Sequence, residues 1–204
     1  MLLSPAVRYL ILLGPSLVLA VLMIFHPSPY DAVAGELVPI AGWWTVLHTA
    51  QFFLFAFAGA SVWMLVDGLR GVAAVVARAA AVIFVLFYDI GDAVAGISTG
   101  ILASKATSSA LPEDAAVTAI NAIFTDLTKD VFFGVGISAW ILALGATAVA
   151  LWRAGAPRVP IVFLALPAFL LTFDHAFPFG ALTFASFFLV VLWLEMTGSR
   201  RNRA

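Results

Sequence analysis

The stretch VAAVVARAAAVIFVLFYDIGDAVAGISTGILA, residues 72–103, decides the fold. It exceeds the roughly 20 apolar residues that carry a helix across a bilayer core. Its only carboxylates, Asp89 and Asp92, lie deep inside it. A charge in that position is costly and is kept where it works on a partner, an ion or a water-filled cavity. Three residues apart on a helix, the two side chains leave nearly the same face. Two ionised carboxylates in contact repel, so a shared proton or an intervening cation is expected. Gly96 and Gly100 follow, four apart, a spacing that admits a second helix at close range.

The rest of the chain agrees with a membrane setting. Of 204 residues, 64% are apolar and 10% charged, and the mean hydropathy is +1.11, against about 45–50% apolar and 25% charged in soluble domains. Long apolar runs broken by Gly, Pro and charge fit spanning helices and not the ten-residue alternation of a membrane barrel. The fold class is therefore all-α, a polytopic integral membrane protein of a bacterial type. A net charge of −1 offers nucleic acid nothing. Cysteine is absent, which removes disulfides, thiolate metal sites and thiol nucleophiles.

Six spans are expected: Val7 to Phe25 with a kink at Gly14-Pro15, Trp43 to Val66, Val72 to Ala103, Val131 to Trp152, and the shorter Ile161 to Phe173 and Ala181 to Met196. A signal peptide, with Arg8 as its basic region and Ala32-Val33-Ala34 as a cleavage-like sequence, is the rival for the first. Its apolar run is longer than the usual 7–15 residues, so it reads as a helix. Pro112 to Asp130 carries Val117, Ile120, Phe124, Leu127 and Val131 at helical spacing, an amphipathic lead-in continuous with or bent from the fourth span.

Charge gives the orientation. With both termini inside, Arg8, Arg70, Arg78, Arg153, Arg158, Arg200, Arg201 and Arg203 fall on the inner side and only Lys105 and Lys129 on the outer. Eight against two, alternating loop by loop, obeys the positive-inside rule. Trp43 and Trp44 sit at the outer interface, and Trp63, Trp152 and Trp193 near the inner one. No boundary or repeat interrupts the chain, so residues 1–204 form one bundle in the cytoplasmic membrane, N-in and C-in.

That topology gathers the unusual residues on the outer side. His26 ends the first helix, His48 lies about two turns inside the second, and Asp89 and Asp92 lie roughly 24–29 Å along the third. His175 and Asp174 occupy the link between the last two spans. Gln51 shares the His48 face. Each residue also has a plainer reading. His26 can face water, His48 can bond a neighbouring helix, and Asp126, Lys129 and Asp130 can form a solvated face with local ion pairs.

The candidate site is thus His48, Gln51, Asp89, Asp92 and His175 for a ligand, Asp89 and Asp92 for catalysis, and His26, His48, Asp89, Asp92 and His175 for a divalent metal of the zinc kind. Axial haem ligation by two histidines is the weaker cofactor reading, since no haem-attachment motif is present. The set resembles the ceramidase and adiponectin-receptor hydrolases, which hold zinc with three histidines, but the six candidate helices and the lack of their paired C-terminal histidines set the chain apart from them. Three functions follow: a binding or assembly protein for a lipid, small ligand or partner, which is the broadest; a metal-dependent hydrolase at the outer leaflet; and a proton- or cation-coupled carrier. Whether it is an enzyme stays open, as does an oligomer.

Overall fold

The computed structural model describes residues 4–27 and 34–201. Val33 and Ala32 of the cleavage-like sequence and Arg203 of the basic tail lie outside the described residues. Among those described every element is a helix and no strand occurs. Five helices are long and apolar enough to cross a membrane, within Ala6–Ile24, Gly35–Leu65, Val72–Thr107, Leu127–Arg153 and Phe179–Thr197.

The first helix, α1 (Pro5–Ile24), starts where Ser4 caps it by accepting from the Val7 N–H and where a proline costs no hydrogen bond. The second, α2 (Ala34–Leu65), begins nine residues earlier than Trp43, the start expected from Gly35, Pro39 and Gly42. Packing overrides those breakers: Leu37, Ala41 and Trp44 are buried with Ala103 and Ile120 in a local core. Glu36 in the first turn adds a favourable charge at the positive end of the helix.

The deciding stretch forms one rod with a defect in it. α3 (Val72–Asp92) runs into a π-helical segment, Ala93–Ser98, and resumes as α4 (Thr99–Thr107). The widened turn begins immediately after Asp92. The amphipathic lead-in is bent: α5 (Glu113–Thr125) stops at Asp126, whose extended backbone breaks the helix and whose Oδ1 accepts from the Thr128 N–H at 2.6 Å to start α6 (Leu127–Arg153).

The expected span from Ile161 to Phe173 differs most. It is two short helices, α7 (Arg158–Phe163) and α8 (Ala165–Leu170). Pro167 has no N–H for the carbonyl of Phe163, so the helix breaks between them. At 1.5 Å per residue the apolar stretch Arg158–Leu170 is about 20 Å long, short of the about 30 Å hydrocarbon core. The last helix is α9 (Phe179–Arg201).

An aromatic core occupies the middle of the bundle. Phe55, Phe84, Tyr88, Trp140, Phe184 and Phe187 are fully buried, with ring centroids such as Phe55–Tyr88 at 4.8 Å and Phe84–Trp140 at 4.7 Å. Outward positions remain apolar, among them Leu10, Phe53, Val75, Val162 and Leu189, as a helix surface in lipid requires. At one end Arg8 Nη2 meets Glu195 Oε1 at 2.7 Å, which ties the start of α1 to the end of α9. The opposite end holds the three histidines.

Candidate metal centre

Four separate segments deliver the polar side chains to that end. His26 follows the last turn of α1, His48 projects from α2, Asp92 closes α3, and His175 lies between α8 and α9. His26 and His48 are buried. His26 therefore does not face water, as an interfacial residue would. The rings of Trp44 and His175 cover it, with centroids 5.5 and 4.9 Å away.

The hydrogen bonds fix the tautomers. His26 Nδ1 lies 2.7 Å from the Pro27 carbonyl, and His48 Nδ1 lies 2.9 Å from the Trp44 carbonyl. A carbonyl only accepts, so both Nδ1 atoms carry the hydrogen. Each neutral ring then holds a bare lone pair at Nε2. Those two Nε2 atoms face each other at 3.3 Å. Two lone pairs at that distance repel unless a cation lies between them.

The third ring completes a cluster. One ligating atom from each of His26, His48 and His175 can be chosen so that all lie within 4.8 Å of one another. Asp174 Oδ1, which also accepts from the Ala176 N–H at 3.0 Å, stands 3.5 Å from His175 Nδ1. At that distance Asp174 is a charged neighbour of the ring and not a hydrogen-bonded one. Phe133 stacks on the His175 ring at 5.8 Å. Outside the spans, burial above all, with a neighbouring imidazole adding to it, pushes His26 and His175 down to about 3. Both are neutral near pH 7, the form that ligates.

Asp92 lines the same cavity. It is 1% exposed, its Oδ1 is 3.9 Å from His48 Nε2, and among the described residues neither of its oxygens has a hydrogen-bond donor. Asp89 lies one turn away, also buried, with a partnerless Oδ1, but it does not line the cavity. Gln51 lies under the centre and not in it: its Nε2 donates to Met23 Sδ at 3.2 Å and its Oε1 is unpaired.

Several residues of the site carry little signal in the sequence. The cavity, about 500 Å³, is walled by Trp44, Phe124 and Phe133 and also reaches Asn121, Lys129 and Asp130. The last two, expected on a solvated face, pair with each other at the cavity wall, with Lys129 mostly covered and Asp130 mostly exposed. The bend at Asp126 turns them there. Trp44 locks the architecture, donating from Nε1 to the Gly96 carbonyl at 2.9 Å and to Thr99 Oγ1 at 3.0 Å. A π-turn leaves carbonyls outside the regular ladder, and this one is used to hold α2 against the turn that follows Asp92.

No family model matches this chain, nor does any curated protein or solved structure.

Proposed function

We propose that this is a multi-span membrane protein whose function rests on one divalent transition-metal ion, zinc by preference, held by His26, His48 and His175. The observation that carries this reading is the pair of lone-pair-bearing Nε2 atoms 3.3 Å apart on two buried rings. Two nitrogens bound at about 2.0–2.1 Å with a tetrahedral angle between them are separated by about 3.3–3.4 Å. The pair is thus spaced as the edge of a zinc tetrahedron. All three ligating atoms lie within 4.8 Å of one another, so a small adjustment of the rings closes the cluster onto one ion. An all-imidazole donor set without thiolate suits zinc and its borderline neighbours, and not calcium or magnesium. The same spacing leaves no room for a porphyrin between His26 and His48.

We place the centre on the outer side of the cytoplasmic membrane, in a six-pass bundle with both termini inside. Support comes from the arginine bias and from the Arg8–Glu195 ion pair, which puts both chain ends at one face. For α9 to begin at the histidine end, the chain after α6 must return through the bundle. The short pair α7–α8 with residues 171–173 makes that sixth pass, and Asp174 and His175 turn at its outer end.

Elemental analysis and zinc titration of the detergent-purified protein test the metal: one equivalent is expected, and none would remove the proposal. Cysteines introduced at Ser28, Ser108 and Arg201, probed in intact cells with an impermeant thiol reagent, test the topology. Positions 28 and 108 should label; labelling at 201 would invert the assignment.

A further inference from the structure

A four-coordinate ion held by three imidazoles keeps one position for something else, and in zinc sites that position separates catalytic from structural centres. The surroundings of the fourth position are specific here. Asp92 is buried beside it, with two acceptor oxygens and no donor for either among the described residues. Its Oδ1 stands 3.9 Å from His48 Nε2, wider than the about 3.3 Å edge that a directly bound fourth ligand would make. A water on the ion would give that carboxylate the donor it lacks. On the other side the cavity of about 500 Å³ opens between Trp44, Phe124 and Phe133, large enough for a small organic substrate.

Resting on the metal reading above, we infer that the centre is hydrolytic, with Asp92 as the general base and a carboxylic ester or amide with an apolar body as the substrate class. Asp92 takes a proton from a water polarised by the ion. The resulting hydroxide oxygen bonds to the substrate carbonyl carbon, and the carbonyl π electrons move onto its oxygen, which the ion stabilises. When those electrons return, the bond from carbon to the leaving oxygen or nitrogen breaks, and Asp92 delivers its proton to that leaving atom. One water is consumed, nothing is oxidised or reduced, and Asp92 ends ionised as it began. The aromatic walls hold the apolar body and exclude bulk water from the reacting carbon.

The experiment loads wild type and Asp92→Asn with cobalt(II) and follows the visible bands while acetohydroxamate is added. A hydroxamate occupies an open metal position and offers a proton to a neighbouring carboxylate. Wild type should show a saturable change. Asp92→Asn should keep cobalt affinity within about threefold and bind the hydroxamate about tenfold more weakly. In parallel, zinc-loaded protein is assayed with 4-nitrophenyl hexanoate, where wild type should exceed the metal-free protein and Asp92→Asn should fall about 100-fold or more. Absence of a hydroxamate response in wild type, or loss of cobalt from Asp92→Asn, would make Asp92 a fourth ligand of a closed site and overturn the inference. Ester release equal in the two proteins, or no release above the metal-free level, would overturn it too. Failure of the metal reading looks different, since wild type would then take up no cobalt. Should Asp92→Asn not fold, Asp92→Glu keeps the carboxylate, and the two wild-type arms decide alone.

Discussion

Replacing His48 with alanine is expected to abolish the response of the protein to zinc while leaving the helices assembled. His48 supplies one of three nitrogens, and its Nε2 makes the 3.3 Å edge with His26. Losing one ligand of three should weaken zinc by about 100-fold or more, about 2.7 kcal/mol. The melting temperature is the sensitive readout, because a ligand that binds only the folded state stabilises it by mass action. At free zinc near 100 times the wild-type dissociation constant, wild type gains about 2.7 kcal/mol and the variant about 0.4 kcal/mol. The metal-free comparison should be less severe. Alanine opens a cavity beneath Trp44, but it also removes the opposed lone pairs that only a cation relieves. Asp89→Asn is the counterpart, since Asp89 does not line the cavity and an amide costs less than a carboxylate to bury. Its zinc-dependent shift should match wild type. A His48→Ala protein that zinc stabilises as strongly as wild type would dispose of the three-histidine centre.

What the sequence disclosed and what it withheld divide along physical lines. Five of the spans were legible because bilayer thickness imposes length and hydropathy directly on the chain, and the polar residues to examine stood out because a carboxylate or imidazole inside a span needs a reason to be there. Grouping His26, His48, His175 and Asp92 at one end followed from alternating the spans. The local geometry was not readable. Pro39 and Gly42 speak against helix by propensity, yet α2 passes through both because Leu37, Ala41 and Trp44 bury against Ala103 and Ile120. The π-turn after Asp92 leaves no mark in composition, since Ala93, Val94 and Ala95 would serve an α-helix equally well. Lys129 and Asp130 form the local ion pair expected of them, with Asp130 exposed, but periodicity says nothing of the bend at Asp126 or of their place at the cavity wall. The doublet α7–α8 satisfied hydropathy and failed on length, because its prolines break what its apolar residues would sustain.

Gly96→Ala should cost far more than an ordinary small substitution in a helix, and the reason is where α2 crosses the π-turn. A Cβ at position 96 would lie 2.0 Å from His48 Cδ2, 2.2 Å from its Cγ and 2.7 Å from its Cβ. Helix propensity alone would favour alanine by about 1 kcal/mol. The clash outweighs that gain. The His48 ring cannot turn aside while Nδ1 holds the Trp44 carbonyl, and α2 cannot back away while Trp44 Nε1 holds the Gly96 carbonyl. The helices must separate and give up both bonds, at a cost of about 3 kcal/mol or more. His48 leaves its position opposite His26, so zinc affinity should fall together with the melting temperature. Gly100→Ala should be milder, because the nearest obstacle to its Cβ is the Thr45 hydroxyl, the movable end of a side chain. Gly145→Ala is the control: nothing lies within 4 Å of its Cβ, so it should gain up to about 1 kcal/mol and bind zinc as wild type does. Melting temperatures in detergent and zinc titrations of the three variants order them. If Gly96→Ala melts with Gly145→Ala and keeps its zinc, then α2 does not pack against the π-turn closely enough to set the position of His48.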